Sequence, residues 1–442
     1  MKYRSGDPPL GVAYLAAVLR NIKDVAVEIV DTTFMDNPRE EIGSILKGSG
    51  YDFVGISIMT LQLDDSLGVI KAAKQFLPQA KIVVGGPHAT VMPEETLAAA
   101  PEIDILVTGE GEEILPRIIA GEELEKIPNL YYRTHGEIKK TERIIPTSEL
   151  DALPFPALDM LPMEKYIGSW FQVEPYRGTS IITSRGCPYV CTFCQPTLRY
   201  IFGDKIRQRT PQNVIDELKQ LKQKFGIEAF MFQDDTFNFN RPWIEEFCRL
   251  MIEQKVELLW GCNVRANLTK EDQLVMMKKA GLRKINIGLE SASQRILDDI
   301  YDKKITVAQA RAAAAAAKKV GLLVQGYFII GAPTETEAEI KETIKYAVNL
   351  DIDMATFSIC TPLPKTYLYD RTKDLIVSDA KVDYYRNSIY KQGVALDQKL
   401  LDKYRRRALL LFYLNPKRLR LTLRFIFSLG GIKRLFLKLK RF

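Results

Sequence analysis

Between residues 10 and 115 the chain alternates two patterns. Short apolar runs rich in β-branched residues occur at 25–30, 53–58, 82–84 and 103–107, and helical spacing follows them, as in Leu67, Ile70, Ala73 and Leu77. Unbroken apolar runs bounded by helices predict strands buried on both faces, hence an α/β fold with a parallel, doubly wound (Rossmann-like) sheet. The loops leaving those strands are Asp31-Thr32-Thr33, Ser57-Ile58-Met59-Thr60, Gly85-Gly86-Pro87-His88 and Thr108-Gly109-Glu110-Gly111-Glu112. They predict the ligand crevice, because ligands of such sheets bind outside the strands' carboxyl ends. Prolines break the pattern over 125–178, at Leu153-Pro154-Phe155-Pro156 and Leu161-Pro162, which predicts a hairpin and a linker. From Thr179 the alternation resumes with strands at 179–183, 228–233, 257–261, 284–288, 323–330 and 354–359. Six consecutive βα units predict a partial (βα)6 TIM-like barrel with its chemistry at the carboxyl ends. The alanine run 312–317 in one of its helices needs only helix propensity as its reason.

Composition narrows the class. A chain of 442 residues with 46% hydrophobic content has material for two or three folded domains. It shows no basic-then-apolar leader and no apolar run long enough for a bilayer, so a cytoplasmic protein is expected. Histidine occurs only at 88 and 135, too few for a His-rich metal site. The net charge of +7 is local: residues 401–442 hold 13 Lys/Arg against the single acid Asp402, leaving −5 on the rest. Without surplus cations the body cannot coat itself in phosphate contacts, so no nucleic-acid partner is expected.

Six cysteines without a leader argue against a disulfide framework, and three of them crowd together in Arg185-Gly186-Cys187-Pro188-Tyr189-Val190-Cys191-Thr192-Phe193-Cys194. Three thiolates at one [4Fe–4S] cluster leave one iron for a small molecule, which suits catalysis rather than pure electron transfer. A zinc knuckle or a group of buried thiols competes with this reading, but zinc takes four ligands and no fourth Cys or His lies near. The remaining Cys248, Cys262 and Cys360 are scattered and read as packing residues.

The spacing C-x3-C-x2-C at the end of a first barrel strand resembles the radical S-adenosylmethionine superfamily. That resemblance implies a [4Fe–4S] cluster on Cys187, Cys191 and Cys194, whose open iron binds S-adenosylmethionine. Reductive cleavage then yields a 5′-deoxyadenosyl radical, and an external electron donor such as flavodoxin or ferredoxin supplies the electron. The resemblance continues along the barrel. Phe193 matches an adenine-contacting position, and Asp234 and Asp235 after the second strand match an acidic, substrate-side loop. Arg265 after the third strand suits a carboxylate. Gly288 and Glu290 after the fourth match a ribose-contacting motif, and Gly331 and Pro333 belong to the fifth-strand signature. Each has a plainer reading, since Asp234 and Asp235 could cap the next helix and Arg265 could pair with any acid.

The N-terminal third resembles the cobalamin-binding domain attached to many enzymes of that superfamily, through Pro8-Pro9-Leu10-Gly11 and the loops holding Ser57, Met59, Thr60, Gly85, Gly86, Gly109 and Glu110. Cobalamin's bulky nucleotide tail needs small residues beside it, and Gly85-Gly86 provides them. The histidine of D-x-H-x-x-G is missing from the matching stretch Gly6-Asp7-Pro8-Pro9-Leu10-Gly11, and only residues 1–7 are available for a strand ahead of Pro8. His88, beside a proline, reads as a loop contact rather than a cobalt ligand. A nucleotide-binding or vestigial scaffold is the alternative for this region.

These readings divide the chain into a cobalamin-binding domain at 1–125, a linker and hairpin at 126–178, a partial barrel at 179–400 and a basic helical tail at 401–442. The tail alternates cations with Leu, Phe and Ile, which suits either a peripheral membrane contact through 415–442, at the inner membrane face, or a solvated helix. The activity the resemblance implies is methylation of an unactivated carbon of a small-molecule or lipid-like substrate, with cobalamin as methyl carrier. Ring closure, oxidation or rearrangement with the same parts is the second reading, and a non-catalytic cobalamin or redox sensor is the third.

Overall fold

The computed structural model describes residues 7–146, 149–170, 176–377, 390–391, 396–419 and 423. In the first sheet, β1 (Phe53–Ser57), β2 (Lys81–Gly85) and β3 (Ile105–Val107) run parallel. The antiparallel hairpin β4 (Leu130–Thr134) and β5 (Glu137–Lys140) extends the same sheet. The hairpin expected in the linker thus completes the N-terminal sheet. Ile82, Val84 and Leu106 are buried against Ile70 and Ala73 of the Leu63–Phe76 helix, as strands covered by helices require.

The strand expected at 25–30 is a correction: the segment forms no ladder among the described residues. Val27 and Ile29 pack instead on Ala16 and Ala17 of the Leu10–Leu19 helix. A β-rich run becomes a strand only beside a partner, and β1 forms the described sheet's edge. The stretch ahead of Pro8 lies, apart from Asp7, outside the described residues.

The second sheet opens with β6 (Gly168–Trp170) antiparallel to β7 (Tyr176–Ile181). A two-residue ladder, β8 (Ser184–Arg185) with β9 (Arg207–Gln208), follows as a separate element. The sheet continues parallel through β10 (Ala229–Phe232), β11 (Leu259–Val264), β12 (Leu282–Glu290), β13 (Leu323–Ile330) and β14 (Met354–Ile359). All six predicted barrel strands are present, in the order β14-β13-β12-β11-β10-β7, and the unpredicted β6 adds a seventh at the β7 edge.

Alternate residues of each strand point to opposite faces. Outward-facing Phe230, Phe232 and Trp260 meet Phe237, Trp243 and Phe247, with Phe232 and Phe237 stacked at 4.3 Å between ring centres. Truncating one such ring to alanine costs about 3–5 kcal/mol. The inner face is polar: Asn286 Nδ2 donates to Asn263 Oδ1 (3.0 Å), and Gln325 Nε2 to Thr356 Oγ1 (3.2 Å). Side-chain caps start the outer helices, with full capping boxes at Thr306/Gln309 and Thr336/Glu339.

The Gln398–Tyr413 helix lays Leu401, Ala408 and Phe412 on the barrel, and Tyr413 Oη donates to Ala355 O at 3.0 Å. Arg418 is buried too: its guanidinium donates to the carbonyls of Ile352 (2.8 Å), Val348 (2.9 Å) and Leu350, and stacks over Phe412. Here the tail docks on the barrel; beyond Leu419 only residue 423 is described.

Candidate active site

The three clustered cysteines lie on one excursion of chain whose neck is the β8/β9 ladder. Gly186 opens it at φ +95°, a conformation that only glycine adopts without strain. The loop is tied to the barrel by backbone bonds: Thr192 N donates to Tyr301 O (2.9 Å), Tyr367 N to Gln195 O (2.7 Å) and Leu368 N to Thr192 O (2.9 Å). The segments following β12 and β14 thereby fix where the thiols stand.

Cys191 is buried, Cys187 half-buried and Cys194 exposed. Desolvation raises the Cys187 thiol and pushes that of Cys194 well above its ordinary range. Cys187 Sγ lies 3.6 Å from Thr236 Oγ1, and Cys191 Sγ 3.6 Å from Arg265 Nη1. Among the described residues, no three Cys, His, Asp or Glu stand close enough to share one metal ion. Thiols on one loop, two of them raised by desolvation, and too dispersed for a single ion, fit the corners of a multi-iron cluster whose positive charge would offset that of bound thiolates. They do not fit zinc. Cys248, Cys262 and Cys360 are buried elsewhere, as packing residues should be.

Beside the loop stands a buried group of charges. Arg265 stacks over the Tyr189 ring at 3.7 Å and donates to Lys303 O through Nη2. Lys303 Nζ reaches Glu290 Oε1 at 2.5 Å and lies 5.6 Å from the centre of the Phe193 ring. Glu290 sits at φ +60°, where the β12–β13 register shifts, and that bulge turns its carboxylate inward. A Cβ on Gly288 would come within 2.5 Å of Glu290 Oε1 and 2.8 Å of Lys303 Nζ, so any side chain there must displace the ends of this pair. Lys303 is the residue that sequence reasoning missed. It lies within Asp302-Lys303-Lys304, a surface-like charge run with no motif to single it out.

Gly331 takes φ +80° after β13, and Pro333 is buried beside it. Glu335 Oε2 accepts from Gly331 N (2.6 Å) and Ala332 N (3.0 Å), while Oε1 is buried without a hydrogen-bond partner. Burial raises this carboxyl to about 7.

The two aspartates after β10 part company. Asp234 is buried and accepts from Thr183 Oγ1 (2.8 Å), Thr183 N and Ser184 Oγ, so it pins the end of β7. The expectation that it faces substrate is corrected, because its oxygens are spent on these donors. Asp235 is exposed, and desolvation followed by the Asp234 charge raises it to about 7.

On the first sheet's carboxyl edge, Ser57 is exposed, and so is Met59, at 50%. Thr60 Oγ1 lies 3.1 Å from His88 Nδ1, so the buried His88, in the short Gly86–Val91 helix rather than in a loop, faces protein. Gly86, at φ +91°, has no room for a side chain: a Cβ would stand 2.7 Å from Ser57 Oγ and 2.8 Å from Ile58 N. Its neighbour is thus the β1 loop rather than open space. Gly85 would meet Val107 O at 3.5 Å. Exposed Ser57 and Met59 beside this glycine-walled edge fit a large planar cofactor with amide groups. Gly109 N donates to Thr90 Oγ1 (3.0 Å), and Glu110 next to it is occupied by Arg185 and Arg207. Glu110 as a cofactor contact is therefore corrected: its carboxylate faces the barrel.

Residues 181–347 match the model of the Radical SAM superfamily, and residues 4–119 that of the B12 binding domain. The chain is 36% identical over 416 residues to an uncharacterized methyltransferase of Pyrococcus horikoshii, spanning 93% of this chain and 88% of that protein. It is 29% identical over 407 residues to the anaerobic magnesium-protoporphyrin IX monomethyl ester cyclase of Cereibacter sphaeroides, covering 89% of this chain and 65% of the cyclase. In fold it is similar to the radical S-adenosylmethionine methyltransferase TsrM from Kitasatospora setae, solved with tryptophan and a SAM analogue. The TM-score is 0.70 over 90% of this chain and 80% of TsrM, at 18% identity. With a thiol-bearing loop at the mouth of a partial barrel and an α/β sheet ahead of it, the chain belongs to the radical SAM superfamily, as a member with an N-terminal B12 binding domain.

Proposed function

We propose that this protein is a cobalamin-dependent radical S-adenosylmethionine methyltransferase acting on an unactivated carbon of a small molecule. The observation that carries the reading is the three-thiol loop lying against the carboxyl-edge loops of a B12-binding sheet, joined by ion pairs across the junction. When bound, the [4Fe–4S] cluster supplies the electron that opens S-adenosylmethionine, and cobalamin supplies the methyl carrier.

Cys187, Cys191 and Cys194 would hold the cluster, and Arg265 would keep positive charge beside the Cys191 sulfur. Lys303 and Glu290 would receive the polar end of the cosubstrate, with Phe193 as an apolar wall for its adenine. Gly331 and Pro333 would shape the floor, and Asp235 would hydrogen-bond substrate from the rim. Ser57, Met59, Thr60, Gly85, Gly86 and Gly109 would border cobalamin. The matching units are a cobalamin domain whose sheet runs on through the 130–140 hairpin, a linker up to 178, and a barrel from 179 onto which the helix of 398–413 docks. An external flavodoxin- or ferredoxin-like protein would deliver the electron. No described helix is long and apolar enough to cross a membrane, and a peripheral contact through 415–442 falls mostly outside the described residues.

Kinship with the cyclase supports a second reading, ring closure or oxidation without methyl transfer. The test is anaerobic incubation of reconstituted protein with hydroxocobalamin, dithionite and S-adenosylmethionine. Methyl transfer predicts S-adenosylhomocysteine as well as 5′-deoxyadenosine. Deoxyadenosine alone would favour the second reading, and neither product would leave a non-catalytic sensor.

A further inference from the structure

The neck of the thiol-bearing loop carries an electrostatic conflict. Arg185 and Arg207 stand directly opposite each other in the β8/β9 ladder, which is two residues long and encloses all three clustered cysteines. Like charges facing across an antiparallel pair repel, and neither guanidinium can escape by losing its proton. Their side chains are only 12% and 13% exposed, so water does little to relieve the repulsion.

Relief comes from the other domain. Glu110 accepts from Arg185 Nη1 through Oε2 and from Arg207 Nη2 through Oε1, one carboxylate bridging both sides of the neck. Glu112 Oε1 accepts from Arg185 Nη2 at 2.6 Å, and the Arg185 guanidinium lies over the Tyr14 ring at 5.6 Å. Both glutamates are buried, and both belong to the loop leaving β3, beside the proposed cobalamin edge. Upstream, Gly109 N is held by Thr90 Oγ1, and Thr90 Oγ1 donates to Gly86 O at 2.9 Å. A continuous set of hydrogen bonds and ion pairs thus runs from Gly86 through Thr90, Gly109 and Glu110 to Arg185, two residues from Cys187.

Resting on the proposed function, we infer that Glu110 and Glu112 are positioning residues that couple the cobalamin edge to the cluster loop. Cobalamin settling against Gly86 and the β1 loop favours one placement of the loop after β3. That placement closes the neck and sets the thiols. By thermodynamic reciprocity, cluster loading must tighten cobalamin binding by the same factor.

The test is an anaerobic hydroxocobalamin titration of iron-free and cluster-reconstituted full-length protein. Native protein is expected to bind hydroxocobalamin at least about five-fold more tightly once the cluster is loaded. In Glu110→Gln/Glu112→Gln both cofactors still bind and the ratio falls to about one, which no loss of contact energy shared by both states would produce. A second variant, Glu110→Gln/Arg207→Met, removes one charge of each sign and so leaves no uncompensated buried charge. It keeps the Glu112–Arg185 pair and is expected to lower the ratio without abolishing it, with an unchanged far-UV spectrum. A native ratio of one, or a ratio preserved in these variants, overturns the inference alone. Failure of native protein to bind hydroxocobalamin at all overturns the proposed function with it.

Discussion

Lys303 Nζ and Glu290 Oε1 meet at 2.5 Å with both side chains at most 10% exposed, at the point where the β12–β13 register shifts. The pair stands in the inner wall beside Phe193, and a side chain at 288 would push against it. Removing one partner strands the other as an uncompensated buried charge, which costs about 3–5 kcal/mol, whereas replacing both by apolar groups is often nearly neutral. Lys303→Met and Glu290→Leu are therefore expected to lose several kcal/mol in denaturant unfolding. The double variant should recover most of that stability and still fail to cleave S-adenosylmethionine. A double variant with native cleavage would make the pair purely structural.

Each of Cys187→Ala, Cys191→Ala and Cys194→Ala is expected to abolish 5′-deoxyadenosine formation and the cluster's visible absorption. Cys248→Ala and Cys262→Ala, whose thiols pack in the barrel wall, should retain both. Iron analysis with anaerobic spectra distinguishes the two groups. Stoichiometric iron with an unchanged spectrum in Cys191→Ala would contradict the ligand set.

Glu335 gives the barrel a signed pH dependence. Its carboxyl is raised from 4.5 to about 7 in the fold, mainly by burial, so the folded chain keeps a proton that the unfolded chain releases. This contribution is complete below pH 4.5 and declines as pH rises to 7, by ~3 kcal/mol for a shift of that size. Glu335→Gln keeps the acceptor for Gly331 and Ala332. Its stability relative to native should therefore rise by about that amount between pH 5 and 8, read by urea unfolding at each pH. A pH-independent difference would refute the buried neutral acid.

Gly86→Ala should injure the cobalamin side selectively. The new methyl meets Ser57 Oγ and Ile58 N inside 3 Å at a positive φ, so the β1 loop must shift. Weaker hydroxocobalamin binding by about ten-fold or more is expected, with native iron content after reconstitution. Unaltered binding would remove this loop from the cobalamin edge.

What could be read from the chain depended on whether the deciding partner was near in sequence. The six barrel strands were legible because each is a buried run followed by its own helix, and the thiols because they crowd into eight residues. The segment 25–30 has the composition of a strand, but a strand exists only with a neighbour to pair with. Asp234 and Asp235 are indistinguishable as a dipeptide; Thr183 and Ser184, some fifty residues upstream, consume one and leave the other at the rim. Glu110 sits in a glycine-rich loop that suggests ligand contact, and only the distant arginines reveal its use. Lys303 had no legible signal at all, since its meaning comes from the inward turn of Glu290 at the bulge.

The central claim is that three thiolates leave one corner of a cluster open to S-adenosylmethionine. Its most direct measurement is the electron paramagnetic resonance spectrum of the anaerobically reconstituted, dithionite-reduced protein before and after S-adenosylmethionine is added. The account predicts a [4Fe–4S]⁺ signal whose g-values shift on addition, with 5′-deoxyadenosine accumulating in the same sample. A cluster signal indifferent to S-adenosylmethionine, or no such cluster, would contradict it.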